Sequence, residues 1–401
     1  MINALQKKWD QWQEFRALPA NAKRIWTEDR KGLTKTDPGI ERCIKEALDW
    51  LARAQDFSQL KDGGAARHFD IAKGWASSYP ETSGYIVPTF LDAARIYQDQ
   101  SLLLRARRML DWLVSIQLPG GGFQGGLIDS KPVVPVTFNT GQILMGLAAG
   151  TRELGEQYRQ PMNLAATFLT ESQDPDGCWR KHATPFAEPG EKAYETHVAW
   201  GLLEAARLAP GKNYGETALR NIRWSLTKQK TNGWISDCCL DNPAQPLTHT
   251  LGYALRGYLE GYRFSKEKDL LLASQKTADG LLSALRPDGF LPGRLLPDWQ
   301  GAVKWSCLTG EVQIAYCWMM LYRYTGDAKY KTAALLANAY VRRTMHLGEG
   351  GDVDLDPGLR GGIKGCYPVF GDYGHNQLLN WAAKFFIDSM LFERDLDNWI
   401  L

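Results

Sequence analysis

The sequence predicts an all-α fold, an (α/α)6 barrel in which six outer helices surround six inner ones. Three observations predict it. A helix followed by a Gly-rich, aromatic turn recurs about six times along the 401 residues. The helix after each turn is apolar nearly all round, whereas the helix before it is amphipathic. No stretch shows the apolar–polar alternation of period two that is typical of strands.

The turns carry the repeat most clearly. Each begins with an aromatic residue or Leu, usually has a Gln, and ends in a Gly-rich stretch closed by a ring. The five clear copies are WLARAQDFSQLKDGG from Trp50, WLVSIQLPGGGF from Trp112, FLTESQDPDGCW from Phe168, WSLTKQKTNGW from Trp224 and LLSALRPDGF from Leu281. The glutamines lie 62, 56 and 56 residues apart, at Gln55, Gln117, Gln173 and Gln229. Ring closure depends on a degenerate sixth copy that runs from Tyr340 through GEGGDVDLDPGLRGG.

The second helix of each pair begins with polar residues. The six starts are ETSGYIV from Glu81, NTGQIL from Asn139, ETHVAW from Glu195, THTLGY from Thr248, TGEVQIA from Thr309 and HNQLLNW from His375. Thr and Asn here are expected to cap the helices, because their side-chain oxygens accept bonds from free helical N–H groups. Because these helices are apolar on all sides, they are predicted to form the inner ring. We expect residues 1–401 to form one domain, with 1–40 as a helical extension.

These repeats resemble the QW-type repeats of squalene–hopene cyclases and prenyltransferase β subunits. More specifically, the chain resembles bacterial proteins with prenyltransferase/squalene-oxidase-type repeats that occur with exopolysaccharide assembly genes. The stretches that carry this resemblance include GWASSYPETSGYIVPTF, SIQLPGGGFQGG, PLTHTLGYALRGYLEG, WSCLTGEVQIA and NWAAKFFIDSML. The resemblance implies the barrel fold, a glycan context and exopolysaccharide assembly proteins as possible partners. It implies no particular reaction.

Composition excludes several classes of function. A net charge of +2 with no basic run gives no reason to expect a nucleic-acid partner. The sequence has no run of 18 apolar residues, so it predicts no membrane span, and no signal peptide is recognisable. The 7 cysteines are scattered, which favours reduced thiols and a cytoplasmic location. The 15 Trp and 16 Tyr suit a core and also a cleft that binds sugars or hydrocarbons.

In such a barrel the inner helices point their N-termini at one face, where free N–H groups favour anionic ligands. Polar residues at these starts are predicted to converge on one pocket: Glu81, Asn139, Gln142, Glu195, His197, His249, Glu311, His375 and Asn376. Rings and cations in the turns suit a carboxylated sugar, because a ring stacks on the pyranose and a cation holds the carboxylate. The turn candidates are Trp179, Arg180, Arg294, Lys304, Trp305, Lys364 and Tyr367.

One inner helix carries a polar stripe. His249, Tyr253 and Arg256 lie at positions i, i+4 and i+7 and so share a face. The stripe favours a lyase that cleaves an acidic polysaccharide by β-elimination, as in helical toroid lyases that this arrangement resembles. Tyr253 would act as base or acid, with His249 or His197 as its partner. Asn139 and Arg256 would hold the uronate carboxylate.

Four alternatives remain open. A uronyl C5-epimerase would use the same residues, and a glycoside hydrolase would use two of the carboxylates of Glu81, Glu195 and Glu311. A non-catalytic glycan-binding scaffold needs only the aromatic cleft. An isoprenoid-handling or terpene-cyclase-like protein would have an almost wholly apolar cavity, and its DxDD run is absent. Asp237 and Cys239 have the spacing of a prenyltransferase zinc pair without a convincing third ligand, so no metal or other cofactor is expected.

Overall fold

The computed structural model describes residues 2–187, 190–348 and 356–399. Helices α1 (Ile2–Ala17) and α2 (Ala20–Arg30) come first. The outer ring is formed by α3 (Ile40–Asp56), α5 (Gln100–Ser115), α7 (Arg159–Ser172), α9 (Tyr214–Leu226), α11 (Lys268–Ala284) and α13 (Ala328–Arg342). The inner ring is formed by α4 (Pro80–Tyr97), α6 (Thr137–Glu153), α8 (Thr196–Leu208), α10 (Thr248–Ser265), α12 (Leu308–Thr325) and α14 (Asn380–Arg394). Each inner helix packs on the next, and α14 packs on α4, which confirms the (α/α)6 barrel.

Five short strands lie in the turns. They are β1 (His68–Asp70), β2 (Gly74–Trp75), β3 (Ser306–Cys307), β4 (Cys366–Tyr367) and β5 (Gln377–Leu379). β1 pairs antiparallel with β2 and with β5, and β3 pairs with β4. The sequence predicts no strands, because two or three residues are too few to show an alternating pattern. Because residues 377–379 form β5, α14 begins at Asn380 and not at the predicted His375.

The repeated glutamines join neighbouring outer helices. The Nε2 group of Gln117 donates to the carbonyl of Gly121 in its own turn at 2.9 Å and to that of Pro161 in α7 at 3.0 Å. Gln173 bonds Gly177 and Thr217 in the same way, at 3.1 and 2.9 Å. Because each such bond satisfies backbone carbonyls of two adjacent repeats, the Gln of the repeat is explained by architecture.

Glycines with positive φ bring each turn against the next outer helix. Gly121 and Gly177 have φ of 86° and 100°, and a Cβ on either would overlap a backbone carbonyl of that helix. Gly361, with φ 79°, stands in the same relation to the carbonyl of Glu46 in α3. The sixth turn therefore packs on the first outer helix and closes the ring. Part of the degenerate sixth copy, 349–355, lies outside the described residues.

The expected capping of the inner helices is wrong. Their N-cap positions are Tyr79, Val136, Glu195, Leu247, Cys307 and Leu379, and none makes a side-chain capping bond. The hydroxyls of Ser83 and Thr140 instead accept from the N–H groups of Ala65 and Phe123, at 3.0 and 2.9 Å. These hydroxyls fix the preceding turn to the inner helix. No helix in the described ranges is long and apolar enough to cross a membrane.

Candidate active site

A cavity of about 410 Å³ lies at the end of the barrel where the inner helices begin. Ligand pockets commonly measure about 300–1,000 Å³, so this one suits a small ligand or the end of a chain. Its aromatic lining residues are Tyr79, Tyr85, Phe138, Phe186, Tyr194, Tyr253, Tyr373 and Trp381. Its strongly polar lining residues are Arg67, His68, Glu81, Asn139 and His249. The expected convergence of helix starts therefore holds for Glu81, Asn139 and His249.

Glu81 is the acidic group of the cavity wall. It lies in the first turn of α4, and the Tyr79 hydroxyl donates to its Oε2 atom at 2.7 Å. Burial raises the pKa of Glu81 to about 7, although the Tyr79 hydrogen bond and the Arg67 charge both act to lower it. At neutral pH a large fraction of Glu81 is therefore protonated and able to donate a proton.

Arg67 supplies a positive charge to the same cavity. It lies just before β1, and its guanidinium carbon is 5.0 Å from the ring centroid of Trp381 and 5.9 Å from that of Tyr79. Its Nη1 atom lies 3.0 Å from Nδ1 of His68 and donates to Oε1 of Gln377 at 3.2 Å. No carboxylate in the described ranges forms an ion pair with Arg67, so its charge is available to an anionic ligand.

Two buried polar atoms on residues of this wall have no hydrogen-bond partner of good geometry among the described residues, although Tyr85 interacts with Tyr253 and Asn139 with Tyr79. They are the Tyr85 hydroxyl and Nδ2 of Asn139, on residues that are 1% and 2% exposed. An unpaired buried polar atom costs free energy, so groups of this kind are usually satisfied by water or a ligand. Both are suited to bonding the hydroxyls of a sugar.

His249 and Tyr253 also line the cavity, as the stripe predicts. Nδ1 of His249 lies 2.8 Å from Oε1 of Gln313 on the neighbouring α12. Burial lowers the pKa of His249 to about 4, so its imidazole is neutral at neutral pH. Burial also raises the pKa of the Tyr253 hydroxyl well above its ordinary value. Tyr253 is therefore poorly suited to act as a tyrosinate base.

His197 and Arg256 lie deeper in the barrel. The His197 ring is 4.2 Å from that of Tyr253 and its Nδ1 is 2.6 Å from Oε1 of Gln142, and neither His197 nor Gln142 lines the cavity. Seven residues of helix separate Arg256 from His249, which places it about 10 Å further along the axis at 1.5 Å per residue. The predicted role of Arg256 at a substrate carboxylate is not supported by this position.

The Arg256 guanidinium already has partners inside the barrel. It lies between the rings of Trp200 and Tyr316, at 4.2 and 4.1 Å, and pairs with Glu260 at 2.7 Å. A buried arginine must be paired in this way. The position of Arg256 on the same helix face as His249 is therefore explained by packing and does not require a role at the cavity.

The predicted pairs of carboxylates do not meet in the cavity. Glu195 and Glu311 are buried close to the inner-helix starts, but Glu81 alone of the three lines the cavity. Burial raises the pKa of Glu195 to about 8. Glu311 accepts a hydrogen bond from the Ser306 hydroxyl, and burial raises its pKa too.

Three turn cations do not line the cavity, and two of them are held by acidic neighbours. Arg180 pairs with Asp176 at 2.7 Å and with Asp174 at 2.9 Å. Arg294 pairs with Asp241 at 2.6 Å. Lys304 lies on a separate surface groove, whose lining residues do not include any cavity residue.

Four further candidates fix α2 or a turn to the barrel. Lys364 is 2% exposed and its Nζ donates to Oδ1 of Asp29 in α2 at 2.5 Å. Tyr367 is buried beside the same aspartate. Trp179 donates from Nε1 to the carbonyl of Leu169 at 2.8 Å. Trp305 is buried, and Gly293 lies against its ring.

His375 and Asn376 fix the N-terminal helices instead of starting α14. Nε2 of His375 lies 2.5 Å from Oε1 of Glu14, and Nδ2 of Asn376 donates to the same oxygen at 2.8 Å. Oδ1 of Asn376 accepts from the Trp26 indole at 2.6 Å. These contacts join α1 and α2 to the loop that carries the cavity residue Tyr373.

The Asp237/Cys239 pair does not have the surroundings of a zinc site. Asp237 pairs with Lys228 at 3.0 Å, and the Cys239 thiol lies 3.1 Å from Oδ1 of Asp241. Across the ranges that the structure describes, no three His, Cys, Asp or Glu side chains are grouped as metal ligands.

Of the cavity residues that were not predicted, three surround Glu81 or supply charge. Tyr79 and Tyr85 flank Glu81 in the printed sequence, and Arg67 belongs to the first Gly-rich turn. The sequence ARHF around Arg67 combines a cation with a ring, the pattern used to select candidates in the later turns. The same criterion, applied to the first turn, would have found Arg67.

No protein-family model matches this chain, and no curated protein sequence matches it. Solved structures share its fold. An unsaturated glucuronyl hydrolase specific for heparin has a TM-score of 0.72 and 13% identity over 91% of this chain and 99% of that one. An unsaturated glucuronyl hydrolase from Bacillus sp. GL1 has a TM-score of 0.69 and 14% identity, covering 89% of this chain and 98% of that one. A D-mannose isomerase gives a TM-score of 0.69 at 11% identity, covering 89% and 99%.

Proposed function

We propose that this protein is a glycoside hydrolase that acts on a small uronate-containing oligosaccharide. The observation that carries the proposal is the Tyr79–Glu81 pair, a buried carboxyl group with a raised pKa in the wall of an aromatic cavity. A carboxylic acid with a raised pKa is the usual proton donor to a departing glycosidic oxygen. The fold neighbours that hydrolyse glucuronyl sugars support the same class of substrate.

Arg67 would recognise the uronate. Its guanidinium has no carboxylate partner among the described residues and lies against Trp381, so it can bind a carboxylate while the ring contacts the sugar. Asn139 and Tyr85 offer polar atoms without a well-aligned hydrogen bond among the described residues, which sugar hydroxyls can satisfy. The size of the cavity favours a terminal sugar unit over the interior of a polymer.

The chemical step follows from these positions. Because Oε2 of Glu81 accepts from Tyr79, Oε1 carries the acidic proton and gives it to the glycosidic oxygen as the bond from that oxygen to the anomeric carbon breaks. A water molecule then bonds to the anomeric carbon and loses a proton to neutral His249. Glu81 and His249 return to their starting forms by exchanging protons with solvent. A base other than a carboxylate thus replaces the second member of the usual pair.

The other mechanisms considered from the sequence have less support. β-Elimination was expected to use Tyr253 as base or acid, with His249 or His197 as its partner and Asn139 and Arg256 at the carboxylate. The raised pKa of the Tyr253 hydroxyl counts against its role as base, and Arg256 is paired inside the barrel. An isoprenoid-handling site was expected to be almost wholly apolar, whereas this cavity contains Arg67, Glu81 and Asn139. A glycan-binding scaffold would not require a protonated Glu81.

A sugar isomerase or epimerase is the second candidate. The observation that favours it is neutral His249 in the cavity, since such a base can remove a proton from a carbon next to a carbonyl group. A D-mannose isomerase is among the proteins with this fold. Hydrolysis gives two products, whereas isomerisation leaves the mass of the sugar unchanged.

The test is turnover of oligosaccharides with an unsaturated glucuronyl end, followed by the ultraviolet absorbance of that unit and by mass spectrometry. Hydrolysis should release two products, and the absorbance should fall as the freed unsaturated sugar opens to its keto acid. Glu81→Gln should abolish both changes. Saturated uronyl disaccharides and neutral disaccharides should be run in parallel. Absorbance that appears from a saturated polymer would establish a lyase, and a product of unchanged mass an isomerase. Saturable binding without any turnover would establish the scaffold.

A further inference from the structure

His249 and Gln313 belong to neighbouring inner helices, α10 and α12, and meet side chain to side chain. Nδ1 of His249 lies 2.8 Å from Oε1 of Gln313, and both residues are 5% exposed. Gly252 makes the approach possible. A Cβ at that position would lie 3.1 Å from Cβ of Gln313 and 3.3 Å from its Oε1. The contact is therefore built into the packing of the two helices.

The chemistry of this contact decides where the imidazole proton is. An amide oxygen has no proton and can only accept a hydrogen bond. The 2.8 Å contact therefore requires Nδ1 of the neutral ring to carry the proton. The other nitrogen, Nε2, is then unprotonated and has a free lone pair. In the described part of the chain nothing donates to Nε2, and His249 lines the cavity.

We propose that Gln313 is a positioning residue that holds His249 in the Nδ1–H tautomer, so that Nε2 faces the cavity as the base of the hydrolysis. The catalytic part of this inference rests on the proposed function, whereas the tautomer itself does not. The proton that Nε2 accepts comes from the attacking water, and the ring becomes an imidazolium whose Nδ1–H bond to Gln313 is strengthened.

The groups that face His249 do not supply an alternative partner. Tyr253 of the same helix and Tyr373 of the β4–β5 loop have ring centroids 4.4 and 5.6 Å from the imidazole. Neither hydroxyl forms a hydrogen bond with the imidazole in the described part of the chain, and the Tyr373 hydroxyl accepts from the Trp381 indole at 2.9 Å. His197 is the other titratable ring near this cluster, and burial lowers its pKa well below the ordinary value. Gln313 is thus the group that orients the proton.

The barrel contains a matched pair that serves as a control. Nδ1 of His197 lies 2.6 Å from Oε1 of Gln142 in the same arrangement, but that pair does not line the cavity. The rings of His197 and His249 both lie close to the Tyr253 ring, with centroids 4.2 and 4.4 Å from it. Replacing Gln142 removes the same bond from a histidine that has no access to substrate.

The direct experiment is nitrogen NMR of the full chain with ¹⁵N-labelled histidine at neutral pH, with His249 assigned from a His249→Asn variant. We expect a protonated Nδ1 and an unprotonated Nε2 for His249. Gln313→Leu should shift the ring toward the Nε2–H tautomer, whereas Gln142→Leu should leave the His249 signals unchanged. An Nε2–H signal in the wild-type protein, or no change in Gln313→Leu, would overturn the inference.

Kinetics then test the catalytic part. Gln313→Leu should lower kcat about tenfold or more with little change in KM, because general-base catalysis contributes about 10²–10⁴-fold. Gln313→Glu should restore the acceptor and stabilise the imidazolium. The acidic limb of the dependence of kcat/KM on pH, where His249 takes up a proton, should then move to higher pH. If NMR shows the expected tautomer and these profiles do not move, His249 is oriented by Gln313 but is not the base. If NMR fails while Glu81→Gln is inactive, the proposed function stands and this inference does not.

Discussion

The Tyr79 hydroxyl donates a 2.7 Å hydrogen bond to Glu81, and both side chains belong to the cavity wall. Burial and this bond act on Glu81 in opposite directions. Burial favours the neutral acid, and the bond from Tyr79 favours the carboxylate. The balance leaves a proton donor that works close to neutral pH.

The rate of hydrolysis should have a bell-shaped dependence on pH. Glu81 must be protonated, so kcat/KM should fall as pH rises through about 7. His249 must be unprotonated, so kcat/KM should fall as pH drops through about 4. The profile should be measured on an unsaturated uronyl disaccharide whose own carboxylate is ionised throughout. A rate that still rises above pH 8 would contradict Glu81 as the acid.

Tyr79→Phe should shift the alkaline limb of that profile to higher pH. The substitution removes a donor that stabilises the ionised carboxylate, so Glu81 should hold its proton to a pH about one unit higher. The measurement is kcat/KM against pH for both proteins. Tyr158→Phe is a matched control, because the Tyr158 hydroxyl bonds Asp111 on the outside of the barrel. An unshifted limb in Tyr79→Phe would show that the bond does not set the acidity.

Arg67→Met should weaken binding of acidic substrates selectively. Loss of a charge-assisted contact should raise KM for a uronyl substrate by about 10–100-fold, corresponding to about 1.5–3 kcal/mol. The comparison is the methyl ester of the same sugar, for which KM should change little. Equal losses on the acid and the ester would mean that Arg67 shapes the cavity and does not recognise charge.

Glu81→Gln should stabilise the fold at alkaline pH while it abolishes activity. The pKa of Glu81 is raised from 4.5 to about 7, so the folded state holds a proton that the unfolded state has lost. This contribution is complete below about pH 4.5 and is lost as pH rises through about 7. It amounts to about 3 kcal/mol at 1.36 kcal/mol per pKa unit. Denaturant unfolding of both proteins at pH 4 and pH 8 should show a difference of this size only at the higher pH.

Gly361→Ala should destabilise the barrel by about 1–3 kcal/mol. The residue has φ 79°, and a Cβ would overlap the carbonyl of Glu46 in α3. Gly120→Ala is the matched control, since nothing lies within 4 Å of a Cβ at that turn position. Midpoints of urea unfolding should fall for Gly361→Ala and stay unchanged for Gly120→Ala. Equal midpoints would show that the sixth turn does not brace the ring.

The fold was predictable because its determinants recur locally. Gln117 and Gly121 lie in one short turn, and the same spacing returns in the next repeat at Gln173 and Gly177. The start of α14 was not predictable in this way. Residues 377–379 become a strand only because β1, more than 300 positions earlier in the chain, offers a partner edge.

The location of the candidate site could be predicted from the sequence better than the set of residues that line it. Glu81, Asn139 and His249 lie near the starts of inner helices, and all inner helices of an (α/α)6 barrel begin at the same end. Arg256 does not line the cavity, because residues on one face of a helix can lie at different depths in the barrel. The turn cation Arg180 does not line the cavity, because it forms ion pairs with Asp174 and Asp176 of its own turn.

Arg67 and Trp381 meet at 5.0 Å although they come from the first and last repeats. The pairing of β1 with β5 connects the same two ends of the chain. During synthesis, the acid Glu81 and its neighbour Arg67 leave the ribosome long before Trp381 does. A nascent chain therefore has neither the burial that raises the pKa of Glu81 nor the Trp381 ring beside Arg67. Under the proposed function, activity should therefore require the last repeat to be folded against the first.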